Sequence, residues 1–165
     1  MGRALRLLDR QEEALPHDEQ AARLSPEDPV RHPNFAVDLA ECGRLQDAIE
    51  EYQAATHLTS DDKIRARTYE SLGALFGALG DYAKVHESYR QALQLDLSQA
   101  DEMVRHLSQS IASQPTSESY LQLGMLLQEM NKLTEARIAY QQALELDPTL
   151  KVAKESLAVL QRSDK

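Results

Sequence analysis

Apolar residues recur at helical spacing along most of the chain, and the clearest run lies between Tyr120 and Pro148. Tyr120, Leu123 and Leu127 share one helix face, and Leu133, Ala136, Tyr140, Ala143 and Leu144 share the face of a second, so two amphipathic helices follow one another. Asn131 and Lys132 supply the turn between them. Gly124 and Ala136 remove side-chain bulk where two antiparallel helices must approach, and the Tyr140 ring fills the space beside them. Pro148 stops the second helix and holds Asp147 in an extended or turn conformation.

The same landmarks return upstream. Residues 63–97 carry Tyr69, Leu72, Gly73, Phe76, Gly80, Val85, Tyr89 and Ala92 in register. Residues 29–62 carry Gly43, Ala48, Tyr52 and Ala55, with Phe35, Ala36 and Leu39 on a first helix. Pro33 predicts that this helix begins near Pro33 or Asn34 and is short. Thr59–Asp62 reads as a turn and helix-cap cluster. In residues 1–28, Gly2, Leu5, Ala14, Ala21 and Pro26 hold the register, Asp18 stands in the tyrosine position, and Pro16 sits inside the second helix. Pro16 weakens or kinks that helix unless it falls in the first turn. The opening within a helix is what a truncated product or a piece cut from a longer array would show.

Two intervals break the period. Tyr52 to Tyr89 spans 37 residues and Tyr89 to Tyr140 spans 51, so about half a repeat is added at Ser98–Pro115. The added segment places Ala100, Met103, Val104, Leu107 and Ile111 on one helix face. Ser98 followed by Asp101 resembles the start of a fresh helix. Yet Leu93, Leu97, Ala100, Val104, Leu107 and Ile111 continue one rhythm, and neither Pro nor Gly lies between Asp81 and Gln114, which suits a single long helix. Both readings stay open at this point. Residues 98–116 are set apart as an extra helix and 117–150 as the last repeat. A closing helix follows at Leu150–Gln161, and 151–165 is set apart as the capping unit, with Ala153, Leu157, Ala158 and Leu160 apolar; such a helix covers the end of a stack. Arg162–Lys165 reads as a frayed end.

The Tyr120–Pro148 stretch, with Tyr120, Leu123, Gly124, Leu127, Ala136, Tyr140, Ala143 and Pro148 in place, resembles the tetratricopeptide repeat, a 34-residue helix-turn-helix unit. The resemblance implies an all-α fold, with antiparallel helix-turn-helix repeats stacked as one right-handed α-solenoid domain over 1–165. It implies a concave groove, lined by first helices, that receives an extended peptide or a partner helix. By repeat position the groove takes Asn34, Val37 and Glu41, then Arg67, Glu70, Ser71 and Ala74, then Glu118, Leu121, Gln122 and Met125. Val37, Ala74, Leu121 and Met125 would make the apolar contacts, and Glu41, Glu70 and Glu118 would supply polarity. The implied partner is a protein or peptide segment of apolar or mildly basic character. The chaperone-binding subset of the family clamps a terminal carboxylate with Lys and Asn. Here Pro33 and Val37 stand where the first Lys and Asn belong, Ser71 replaces an Asn, and Glu118 and Gln122 replace the final Lys and Arg. Tight binding of an acidic tail is therefore not expected. Self-association as a homodimer is a second reading, through the Leu93–Ile111 stripe or the N-terminal end.

Composition narrows the classes further. The net charge is −9, and residues 1–62 contribute −8 of it, so the basic footprint of a nucleic-acid binder is missing. No apolar run approaches the ~18 residues of a membrane span. Arg3, Arg6, Asp9 and Arg10 interrupt any signal-peptide core, and Arg6 occupies the position where myristoylation needs Ser or Thr. The single Cys42 cannot form an internal disulfide, which points to a reducing, cytoplasmic setting. His17, His32, His57, His86 and His106 show no metal-ligand spacing, and Gly73, Gly77 and Gly80 suit packing and capping better than a phosphate loop. Adjacent carboxylates such as Glu12-Glu13 and Glu50-Glu51 point in different directions on a helix. No catalytic, cofactor-binding or metal-binding set is assigned, and the chain reads as a non-catalytic binding module.

Overall fold

The computed structural model describes residues 11–163, with side chains from 15 to 162. Gly2, Leu5, the Ala14 side chain and the last two residues of the tail lie outside the described residues. Among the described residues there are nine α-helices and no strand: α1 Gln11–Leu24, α2 Arg31–Glu41, α3 Leu45–Leu58, α4 Asp62–Ala78, α5 Tyr82–Leu95, α6 Ala100–Ser113, α7 Ser117–Glu129, α8 Leu133–Leu146 and α9 Lys151–Ser163. The chain forms an α-solenoid in which α2/α3, α4/α5 and α7/α8 are tight antiparallel pairs, while α1 packs on α2, α3 on α4 and α9 on α8.

Each pair turns in the same way. Gly43, Gly80 and Asn131 adopt left-handed backbone at φ 75°, 74° and 58°. The N–H of the left-handed residue bonds three residues back, and the next N–H bonds five back: Gly43 to Ala40 and Arg44 to Leu39, Gly80 to Gly77 and Asp81 to Phe76, Asn131 to Gln128 and Lys132 to Leu127. These are Schellman turns, which satisfy the orphan carbonyls at a helix end.

Within a pair, the missing glycine side chain sets the separation. A Cβ on Gly73 would lie 2.4 Å from Tyr89 Cε1, and one on Gly124 would lie 2.6 Å from Tyr140 Cδ1 and Cε1. The phenols are sealed, Tyr89 at 1% exposure and Tyr140 at 0%. Their hydroxyls donate to Gln122 Oε1 at 3.3 Å and to Gln128 Oε1 at 2.9 Å. Burial pushes both phenols well above the ordinary tyrosine range, so each stays neutral and remains a donor. Ala48, Val85 and Ala136, at one register position of the second helices, are fully buried beside the rings.

The added segment is a separate helix, which removes the continuous-helix alternative. Helix α5 ends at Leu95, Asp96 turns to φ −150° and ψ 89°, and a 3₁₀ turn at Leu97–Gln99 leads into α6. The Asp96 carboxylate accepts from Ser98 N at 3.0 Å, Ser98 Oγ at 2.5 Å and Gln99 Nε2 at 2.9 Å. Those hydrogen bonds, Ser98 first, hold its carboxyl below the usual range. Asp96 therefore starts the new direction, whereas Ser98 lies inside the 3₁₀ turn and the residue before α6 is Gln99.

Helix α2 begins at Arg31, two residues earlier than Pro33 suggests. Pro33 falls in the first turn, where its missing N–H would have had no intrahelical partner, and Asp28 Oδ1 takes the Val30 N–H at 3.0 Å. Asp61 caps α4 by accepting from Lys63 N and Ile64 N. Pro16 lies inside α1, beyond the first turn. Helix α9 buries Ala153 and Leu160, with Leu157 half-buried and Ala158 facing outward.

Gly124→Ala is expected to cost about 1–3 kcal/mol, the scale of overpacking a filled core, measured by urea denaturation. The cost should shrink when Tyr140→Ala is already present. An unchanged midpoint in the single variant would contradict the close approach.

Candidate functional site

Between α2 and α4 lies an open cavity of about 260 Å³. Its α2 side is built by Pro29, Val30, Pro33, Asn34 and Val37, its α4 side by Ile64, Arg67, Thr68 and Ser71, and Tyr52 of α3 also lines it. Four residues expected in the groove, Asn34, Val37, Arg67 and Ser71, thus meet in one place. Thr68 Oγ1 donates to the Ile64 carbonyl at 2.8 Å and Ser71 Oγ to the Arg67 carbonyl at 3.1 Å. Both hydroxyl protons are therefore engaged within α4. Arg67 is the one charged side chain in this lining. The cavity is thus an apolar recess with a cation at its edge.

The remaining expected residues divide. Glu41, Ala74 and Glu118 are exposed. Glu70 is half-buried, and its Oε1 lies 2.8 Å from His106 Nδ1 on α6. On α7 the expectation is corrected: Leu121 and Met125 are at 0% exposure and Gln122 is at 9%. Gln122 faces the preceding repeat, since a Cβ on Gly77 would fall 2.0 Å from its Nε2 and Tyr89 donates to its carbonyl oxygen. Helix α6 packs along α7, and α7 has no open groove floor at Leu121 and Met125. These side chains make core, and they cannot touch a ligand in this arrangement.

The apolar stripe proposed for self-association is corrected in the same way. Leu93 is at 9%, Ala100 at 6% and Met103 at 2% exposure, while Val104 and Leu107 are half-buried against the core. Only Leu97, at 69%, projects from the stripe, and the break at Asp96 separates the two halves.

Sequence reading missed a set of histidine–glutamate contacts between helices. His32 Nδ1 lies 2.7 Å from Glu51 Oε2, His86 Nδ1 lies 3.1 Å from Glu129 Oε1, and His106 pairs with Glu70 while its Nε2 lies 2.8 Å from Glu102 Oε1. The inter-helix partners are 19, 43 and 36 residues apart, so no local spacing announces them. A second recess of about 340 Å³ opens near Tyr69, Leu72 and Phe76, rimmed by His57, Lys84 and Glu87. Lys84 is held there, 2.9 Å from Asp81 and 5.0 Å from the Phe76 ring centroid. Among the described residues no group of three or more His, Cys, Asp or Glu is placed to hold a metal ion, and no helix is long and apolar enough to cross a membrane.

Comparison with known proteins follows the same geometry. The family described as Tetratricopeptide repeat matches residues 66–99 and 117–150. The human Protein O-mannosyl-transferase TMTC3 is 30% identical over 89% of this chain, and the match covers 16% of that protein. The chain thus spans a small part of this relative's length. Among solved structures, that of MamA superposes with a TM-score of 0.59 at 17% identity, covering 99% of this chain and 84% of that one. The TPR2AB domain of yeast Sti1, in its pHSP90 complex, superposes with a TM-score of 0.52 at 19% identity, covering 98% and 81%. Both likenesses bear on the fold.

Leu121→Glu is expected to cost about 3–5 kcal/mol, because it buries an unpaired charge and loses core packing. Val37→Glu, at a half-buried rim, should cost about 1 kcal/mol. Thermal unfolding of the two variants distinguishes these positions, and equal, small losses would contradict the burial of α7.

Proposed function

The chain is a tetratricopeptide-repeat protein, with repeats at 66–99 and 117–150, and we propose that it is a non-catalytic adaptor that receives a peptide segment in the recess between α2 and α4. Proteins of this repeat family generally mediate protein–protein interaction. The observation that carries the reading is the cavity of about 260 Å³ in which Val37, Tyr52, Pro33 and Ile64 form an apolar lining beside Asn34, Arg67 and Ser71. A recess of this size and polarity accepts an apolar side chain, with a few polar groups fixing the backbone that carries it.

The partner segment in this reading is apolar at its anchor and neutral to mildly basic around it. Support comes from the −8 charge of residues 1–62, which steers basic segments toward this half against the single cation of the lining, Arg67, and from exposed Glu41 outside the recess. A carboxylate clamp is not part of the reading: Pro33 and Val37 line the cavity where donors would be needed, and Gln122 is buried with its amide nitrogen against Gly77. A cytoplasmic setting belongs to the same proposal, supported by the free thiol of Cys42.

Peptides selected on the purified chain from a random display library should carry an apolar anchor and should lose at least about tenfold in affinity, about 1.4 kcal/mol, for Val37→Glu. Glu118→Lys, outside the recess, should leave them unchanged, and an acidic C-terminal peptide should show no tight binding by calorimetry. Retained affinity in Val37→Glu, or micromolar affinity for the acidic tail, would contradict the proposal.

A further inference from the structure

Helix α6 and the turn before it meet α4 at two points. Gln99 Nε2 donates to the Lys63 carbonyl at 3.3 Å and His106 Nδ1 meets Glu70, and both pairs are 36 residues apart. The offset is constant from the 3₁₀ turn, where Gln99 lies, to His106 on α6, so α6 runs parallel to α4 and is tied to it by these two side chains. It also packs along α7.

The groove register differs sharply between the two first helices that α6 touches. At matching repeat positions, Ala74 is exposed where Met125 is sealed, and Glu70 is half-buried where Leu121 is sealed. The α6 stripe of Ala100, Met103, Val104 and Leu107 is turned to the core on this side. Yet α6 is shallowly held. Only Ala100 and Met103 of its 14 residues are buried, whereas α7 buries six of 13 and α4 seven of 17. The α7/α8 pair is closed by its own Gly124–Tyr140 contact, which does not involve α6. An amphipathic helix with so few buried residues belongs to the low-stability end of a structure.

We infer that α6 is a displaceable internal occupant of the C-terminal half of the groove, and that the partner able to replace it is an amphipathic helix with the same apolar stripe and a cationic or imidazole donor facing Glu70. The inference rests on the groove reading above. Released, α6 exposes the side of α7 along which it packs and frees Glu70 from His106, and these supply the apolar face and the carboxylate that such a helix needs. The recess between α2 and α4 stays open in both states, so the chain has one permanent and one gated half-site.

Hydrogen exchange on the unmodified chain should show α6 amides exchanging at least tenfold faster than those of α4 and α7, with a further increase in α6 alone for His106→Ala. A fluorescent peptide of residues 97–114 should bind a full-length Met103→Glu variant and fail to bind wild type. Protection of α6 equal to that of α4 and α7 would overturn the inference. So would peptide binding to neither protein, or global unfolding of Met103→Glu, since either makes α6 part of the cooperative core. If selected peptides ignore Val37→Glu while α6 exchanges fast, the groove reading at α2/α4 fails and the mobility of α6 stands.

Discussion

The contact on which the stack depends is a tyrosine ring lying where a first-helix side chain has been removed. Gly73 under Tyr89 and Gly124 under Tyr140 place α4/α5 and α7/α8 at a separation that leaves no room for a Cβ. Ala36 and Tyr52 hold the same register in α2/α3, both buried. Because the ring fills the gap completely, the angle within a pair is fixed, and the first helix must present its opposite side outward. A concave face is the geometric consequence of repeating that contact.

Most of this was legible in one sequence because the determinants are local. Gly43, Gly80 and Asn131 announce Schellman turns, since only residues tolerant of left-handed backbone fit there. The Gly–Tyr interval announces the hairpin. Pro33 misled by two residues, because its rule concerns interior turns and the first turn of a helix is exempt. Asp96 was harder to read. Its side chain competes with the helix through the backbone and hydroxyl of Ser98, and nothing in the apolar rhythm of Leu93 to Ile111 reports that competition.

The candidate site was half legible. Asn34, Val37, Arg67 and Ser71 converge because α2 and α4 keep the regular register. Leu121, Gln122 and Met125 do not, because an added half-repeat places α6 against α7 and the preceding repeat takes Gln122. The apolar character of Leu121 and Met125 suggested contact with a ligand, whereas both are sealed in the core of the chain. Repeat position predicts which way a side chain points; it does not predict what already stands there.

The central claim is that the groove is open between α2 and α4 and closed over α7. Solvent paramagnetic relaxation of methyl groups in the purified chain tests it most directly. The account predicts strong enhancement at Val37 and near-complete shielding at Leu121 and Met125. Enhancement at Leu121 and Met125 matching that at Val37 would contradict it.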